Sequence, residues 1–276
     1  MSDEMNLSPP VGLWNNAFRF HFRENASTSS SAMEWLRESQ PGQTAIFTTD
    51  HQRQGRGQNG KVWQHRKNQD LAWSLAVHFS EPLHAETIAS NFWMQLNLAL
   101  TDGLRRCVTR TIAKSSAEIR VKWPNDLYVF HECSWKKCSG ILVENHWKGS
   151  EMHGFVIGVG INVAPLDSHL PRIGLQSLSE EQVTIAHVQF LLEQELQGLL
   201  PLNNLHLEPL TPDRLNRYHA ILYGWQETLL FRYRQNTHSA KFLGINSEGQ
   251  AQVQWVDGPN AGLITSHTSS GELQWL

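Results

Sequence analysis

The run Gln52-Arg53-Gln54-Gly55-Arg56-Gly57-Gln58-Asn59-Gly60-Lys61-Val62-Trp63 sets three glycines among cations and closes on a tryptophan. Glycine lets backbone N–H groups come close to a ligand, and Arg56 and Lys61 add positive charge, so the run suits an anion. A plain surface loop rich in Gly, Gln and Asn has the same composition, and the run alone does not separate the two readings. Further along stand Val121-Lys122-Trp123-Pro124-Asn125-Asp126-Leu127-Tyr128, Lys137-Cys138-Ser139-Gly140-Ile141-Leu142-Val143-Glu144 and Gly158-Val159-Gly160-Ile161-Asn162-Val163. Proline blocks continued strand pairing and Asn/Asp suit tight turns, so Trp123 to Asp126 reads at least as a turn ending a strand.

These four blocks, in this order, closely resemble the biotin–protein ligases, whose members carry a GRGRxGRxW loop, a KWPND turn, a KxxGIL-x-E strand and a GxGIN strand. Ser27-Thr28-Ser29 stands where that family has Ser-Thr-Asn before a helix. The resemblance runs from about residue 25 to the C-terminus and implies a two-step reaction. Biotin's carboxylate first joins the α-phosphate of ATP, and a lysine of a biotin carboxyl carrier domain then attacks the acyl-adenylate.

The resemblance assigns Arg56, Lys137 and Asp126 to catalysis. It implies biotin contacts from Ser27, Thr28, Ser29, Gln52, Gly55, Arg56, Gly57, Gln58, Lys137 and Gly140. Nucleotide contacts fall to Arg56, Lys122, Asn125, Asp126, Lys137 and Asn162. Guanidinium forks suit carboxylate and phosphate, and uncharged donors and acceptors suit a neutral urea ring. Lys122 is open between a nucleotide contact and a structural ion pair, and Gly55 and Gly140 between keeping the slot clear and backbone geometry. ATP and biotin are the implied substrates. Mg²⁺ is implied through Asp126, with no metal site built from protein groups alone. The chain departs from the family pattern at Gln58 and Lys61, where many members have Arg, at Ser29 for Asn, at Asp70-Leu71 for Asn-Leu, and at Arg53 and Gln54 for smaller residues.

At 276 residues, the chain is long enough for one large domain and a small one. With 23 Lys+Arg against 26 Asp+Glu the net charge is −3, which argues against nucleic acid as a main partner. Three cysteines, Cys107, Cys133 and Cys138, suggest a reducing compartment. His131, Cys133 and Cys138 are close enough to suggest a metal, but a fourth ligand is missing and a hairpin turn fits better. Met1 to Pro10 has no apolar signal core, and no window nears the roughly 18–20 apolar residues of a membrane span. The expectation is a cytoplasmic protein, away from membranes, monomeric or weakly dimeric.

The expected fold is α+β: a mixed sheet with packed helices, like the biotin and lipoate ligases, plus a small SH3-like C-terminal barrel. Residues 1–20 read as a lead, 21–222 as the catalytic domain and 223–276 as the barrel. Ser27 to Ser31 are cap formers before a helix. Ala45 to Thr49 form a strand, and Leu71, Trp73, Leu75, Val77 and Phe79 alternate as in a strand with one larger apolar face. Ile88, Phe92, Leu96, Leu100 and Leu104 recur every four residues, which predicts a helix over roughly 84–107. Further strands are expected at about 119–123, 127–130, 139–145 and 154–163, and helices at 183–200 and 211–222. Pro165 to Ser179 resembles the family's mobile loop over the adenylate. Every ligand motif precedes residue 163. Two other activities stay open: a lipoate or octanoate ligase or transferase of the same fold, and a biotin-responsive DNA-binding repressor. The short segment before Ser27 counts against the repressor, because a winged helix-turn-helix needs about twice that length.

Overall fold

The computed structural model describes residues 6–7, 16–88, 92–113, 115–199, 211–268 and 272–276. In chain order the elements are β1 (Asn6–Leu7), β2 (Phe18–Phe22), α1 (Thr28–Glu38), β3 (Thr44–Thr49), β4 (Gly55–Arg56), β5 (Val62–Trp63), β6 (Asp70–His84) and α2 (Phe92–Thr111). Then come β7 (Ile119–Lys122), β8 (Asp126–His131), β9 (Ser134–Lys148), β10 (Glu151–Asn162), α3 (Ile185–Leu199) and α4 (Pro212–His219). The C-terminal part holds β11 (Thr228–Tyr233), β12 (Asn236–Ile245), β13 (Ala251–Trp255), β14 (Ile264–His267) and β15 (Gln274–Trp275).

The main sheet runs β1-β2-β3-β6-β10-β9-β8-β7. Strands β2 and β3 pair in parallel and the other neighbours antiparallel, which makes the sheet mixed. Its two faces are set by the alternation along β6. Leu71, Trp73, Leu75 and Val77 pack into a core shared with Leu96, Leu100 and Leu104 of α2 and Val188 and Leu192 of α3. Ala76, on the other face, joins Ala32 and Leu36 of α1, with Ala45, Phe47 and Val156. Small residues on that face let α1 lie close. Leu36 is fully buried there, a contribution of roughly 1.5–3 kcal/mol for a leucine side chain. Both faces of β6 are buried from Asp70 to His78, the larger residues on one face, as the alternation predicts, and the small ones on the other.

Ser27 caps α1, its hydroxyl accepting from Ser30 N–H at 3.4 Å. The main difference from the expected elements is at α2, which starts at Phe92 because β6 continues to His84 and a 3₁₀ turn covers Ala85–Thr87. The expected helix start at residue 84 is therefore strand and turn. β2 begins at Phe18, inside the expected lead, while the lead's residues 1–5 and 8–15 lie outside the described residues. Residue 200 of the expected 183–200 helix does so too.

The C-terminal strands form an antiparallel sheet in the order β14-β13-β12-β11-β15. The sheet is consistent with a small SH3-like unit, but among the described residues β14 and β15 are edges with no pairing between them, so no closed barrel is seen there. Asn246 to Gly249 turns the chain between β12 and β13, with Gly249 N–H donating to Asn246 O at 2.9 Å. Backbone bonds join the connector after α4 to the main sheet: Val121 N–H to Ile221 O at 2.8 Å and Tyr223 N–H to Val121 O at 2.9 Å. Among the described residues, no helix is long and apolar enough to cross a membrane.

Candidate active site

Directly opposed residues in a sheet share a face, and one such row crosses the middle of the main sheet. Ala72 of β6 faces Gly160 of β10, Gly160 faces Gly140 of β9, Gly140 faces Asp126 of β8, and Asp126 faces Lys122 of β7. Three of these positions carry a methyl group or nothing. The result is a trough, and above it lies a cavity of about 240 Å³.

One end of the cavity is polar and uncharged. Thr28 and Ser29 reach it from the first turn of α1, and Gln52 reaches it from the start of the glycine run. Gln52 Oε1 accepts from Thr28 N–H at 2.9 Å and from Thr28 Oγ1 at 3.2 Å. Ser74 Oγ donates to Thr28 Oγ1 at 2.8 Å and lies 3.2 Å from Ser29 Oγ. Gln52 N–H donates to His65 Nδ1 at 3.2 Å, and His65 Nε2 lies 3.0 Å from Asp70 O. Nδ1 must therefore be unprotonated, and burial holds His65 below the usual histidine range.

The other end is charged. Arg56, Lys61, Lys122 and Lys137 line the cavity against a single carboxylate, Asp126. Lys137 Nζ meets Asp126 Oδ1 at 2.6 Å and lies 5.4 Å from the Trp63 ring centroid. Lys122 Nζ lies 3.4 Å from Tyr128 Oη. Burial lowers the Lys122 pKa, with Lys137 and Lys61 adding to the effect and Asp126 opposing it. Arg56 sits at the rim, its Nη2 2.6 Å from Glu144 Oε2. An incoming anion would compete with that glutamate. The Trp63 ring lies on Gly160, where a Cβ would stand 2.3 Å from a ring carbon.

The structure thus brings Thr28, Ser29, Gln52, Arg56, Gly57, Gln58, Lys122, Asn125, Asp126, Lys137 and Gly140 to one cavity. Ser27, Gly55 and Asn162 do not line it. Ser27 is 2 % exposed and spends its hydroxyl on capping α1. Gly55 lines an outer groove beyond the glycine run, with Trp63 O and Gln52 Nε2 where its side chain would be. Asn162 is 1 % exposed, and its amide donates to Lys137 O at 3.2 Å, so it fixes the strand that carries Lys137. Asn125 is also tied to the backbone, through its side-chain amide on Ile141 O and Ile141 N–H on its carbonyl.

Several lining residues lie outside the set read from the sequence. Trp63 and Trp123 were visible within their motifs. Ser74, fully buried behind Thr28 and Ser29, was visible only as a polar position on an apolar strand and does not itself line the cavity. Gln274 and Trp275 of β15 also line the cavity, so residues after 163 do contribute to it. The 165–179 loop is anchored to β9: Lys137 N–H donates to Pro171 O at 3.0 Å and Ile173 N–H to Lys137 O at 2.9 Å. It buries Ile173, Leu175 and Leu178. Cys138 is fully buried with its thiol on Leu127 O, and burial pushes its pKa up to about 12, whereas Cys133 is exposed.

Comparison with known proteins bears on the family and the fold. The model of the biotin/lipoate A/B protein ligase family matches residues 23–162. A biotin–protein ligase of Schizosaccharomyces pombe is 25 % identical over 221 residues, 75 % of this chain and 32 % of that protein. The bifunctional ligase/repressor BirA of Escherichia coli is 32 % identical over 146 residues, 50 % of this chain and 38 % of that one. The chain therefore spans less than half the length of these curated relatives. A solved biotin protein ligase from Aquifex aeolicus, in complex with biotin and ATP, superposes with a TM-score of 0.64 at 19 % identity, covering 93 % of this chain and 97 % of that one. The Leishmania major enzyme in complex with biotin gives 0.55 at 18 % identity, covering 95 % and 100 %. At such identities the structural likeness speaks for the fold. The family match extends over just over half of the residues, and the chain belongs to the biotin/lipoate A/B protein ligase family.

Proposed function

We propose that this chain uses ATP to attach biotin to a lysine of a biotin carboxyl carrier domain through biotinyl-5′-AMP. The observation that carries the reading is one cavity with a neutral hydrogen-bonding end and a cationic end. Thr28, Ser29 and Gln52 suit biotin's ureido ring, and Arg56, Lys61, Lys122 and Lys137 suit a carboxylate meeting an α-phosphate. The curated relatives named as biotin–protein ligases support it. A lipoyl ring has no urea to satisfy these hydroxyls and the glutamine, which favours biotin over lipoate or octanoate.

In the first step a carboxylate oxygen of biotin attacks the α-phosphorus and pyrophosphate leaves. Two anions must approach one another, so preorganised cations lower the barrier. Lys137 is oriented by Asp126 and by the Trp63 face; Arg56 exchanges Glu144 for ligand oxygens. In the second step the carrier lysine attacks the acyl carbon, AMP departs and the amine loses a proton. Deprotonating a lysine of ordinary pKa at pH 7 costs about 4–5 kcal/mol. Asp126 is the one carboxylate lining the cavity and the proposed acceptor for that proton.

A protein-built Mg²⁺ cage does not fit this cavity: Asp126 is its single carboxylate, and that group is already paired with Lys137. Mg²⁺ arriving with ATP would find one carboxylate here and take its other ligands from phosphate and water, the usual mode for this ion. When bound, it offsets triphosphate charge.

The reading divides the chain into a lead (1–20), a catalytic unit (21–222) and a small C-terminal unit (223–276). It also assigns the chain to the cytoplasm as a monomer or weak dimer without a nucleic-acid role. The test is mass spectrometry of a biotin carboxyl carrier domain after incubation with this protein, Mg-ATP and either biotin or lipoate. A gain of one biotinyl group, dependent on ATP, is expected. No gain with biotin, or a gain with lipoate alone, contradicts the reading.

A further inference from the structure

The C-terminal strand β15 has no part in any motif, yet Trp275 and Gln274 line the cavity together with residues of the main sheet. Trp275 is held firmly. Its ring lies 5.0 Å from Phe231 and 4.8 Å from Phe242, both in tilted or edge-on geometry, and its backbone pairs with Phe231. Leu273, two residues earlier, is fully buried. The indole Nε1 of Trp275 is buried and has no hydrogen-bond acceptor among the described residues. A buried donor without an acceptor is costly.

The position of Trp275 along the cavity can be read from the rings next to it. Its centroid is 5.9 Å from that of Tyr223, and Tyr223 stacks on Tyr128 at 5.7 Å. Tyr128 in turn contacts Lys122 Nζ. Trp275 is thus at the Lys122 end, away from Thr28, Ser29 and Gln52. A second contact seats the C-terminal sheet there: Trp123 Nε1 donates to Gly249 O at 3.2 Å, and the Met94 side chain fills the space beside Gly249.

Resting on the functional reading above, we propose that Trp275 is a specificity-determining residue that packs the purine base of the nucleotide. A purine is flat, uncharged and rimmed with acceptor nitrogens. A fixed indole face complements the face of such a base, and the neighbouring carboxamide of Gln274 complements its edge. Biotin lies at the other end and does not touch it.

The experiment is calorimetry of Trp275→Ala and Trp275→Phe with two probes, biotin and a hydrolysis-resistant biotinyl-adenylate analogue, alongside steady-state kinetics in ATP. Trp275→Ala should bind biotin as the parent does and lose roughly tenfold or more toward the adenylate analogue, as expected when a base loses its aromatic platform. Trp275→Phe keeps an aromatic face and the ring packing, so it should lose less. In both variants the KM for ATP should rise while the single-turnover rate at saturating ATP stays near the parent's. Parent-like binding of the analogue by Trp275→Ala overturns the inference. So does an equal loss of both probes in Trp275→Phe, whose packing is retained. A parent chain that binds neither probe overturns the functional reading itself.

Discussion

Lys137 Nζ stands 2.6 Å from Asp126 Oδ1, and the two side chains meet directly above Gly140. A Cβ on Gly140 would lie 2.9 Å from that carboxylate oxygen and 3.3 Å from the ammonium. The strand that carries Lys137 thus also provides, three residues on, the gap in which it meets its partner.

Gly140→Ala should therefore displace the Lys137–Asp126 pair without unfolding the protein, because both contacting atoms are ends of flexible side chains. Adenylate formation should fall by about 100-fold, the scale of an ångström-level misplacement, with little change in melting temperature. Gly160→Ala meets the Trp63 ring instead, 2.3 Å away. That ring cannot bend aside, and overpacking of this kind costs roughly 1–3 kcal/mol. Thermal unfolding and single-turnover kinetics on the two variants check the contrast; equal destabilisation of both would contradict it.

A pH dependence follows from His65. Its Nδ1 accepts from Gln52 N–H, so protonation there removes the bond that seats Gln52. Burial lowers the His65 pKa from the ordinary histidine value of 6.5. The unfolded chain therefore takes up the proton first. The stabilising contribution is complete above pH 6.5 and is lost as pH falls from there through the depressed folded value. Biotin affinity should decline over the same acidic range, and His65→Gln should flatten that decline. An identical acid limb in the variant, followed by calorimetry across pH, would show that another group controls it.

Gln58 lines the cavity where many family members place a second arginine. A neutral side chain there would hold the adenylate less tightly than a cation. Gln58→Arg should slow the escape of free biotinyl-AMP by roughly five-fold or more, given about 1–3 kcal/mol for a charge-assisted hydrogen bond. Release can be timed by trapping the free adenylate with a soluble amine. An unchanged or faster rate in the variant would count against a phosphate contact at this position.

Much of this site was legible in the sequence because the motifs occupy consecutive rows of one sheet. Gly140, Gly160 and Asp126 are neighbours across β8, β9 and β10, and each lay in a block that could be read locally. What escaped was contact between distant segments. Trp275 is brought to the cavity by pairing with β11, and no local pattern near residue 275 encodes that. Asn162, expected at the nucleotide, has its amide spent on Lys137 O. For the fold, Phe18, Phe20 and Phe22 alternate with Arg19 and His21, a period-2 signal masked by the polar lead before it. The false helix start at residue 84 came from extending a four-residue spacing through Ile88, while β6 was still running.

The account rests on Arg56 and Lys137 bracketing the point where a carboxylate meets an α-phosphate. The direct measurement is pyrophosphate release in a single turnover by Arg56→Ala and Lys137→Ala, with carrier labelling from synthetic biotinyl-AMP measured separately. Each variant should release pyrophosphate roughly 100- to 1000-fold more slowly, the usual effect of losing one preorganised donor. Added biotinyl-AMP should rescue Lys137→Ala only in part, since the same ammonium would face the leaving phosphate in the second step. Pyrophosphate release near the parental rate in both variants would contradict the account.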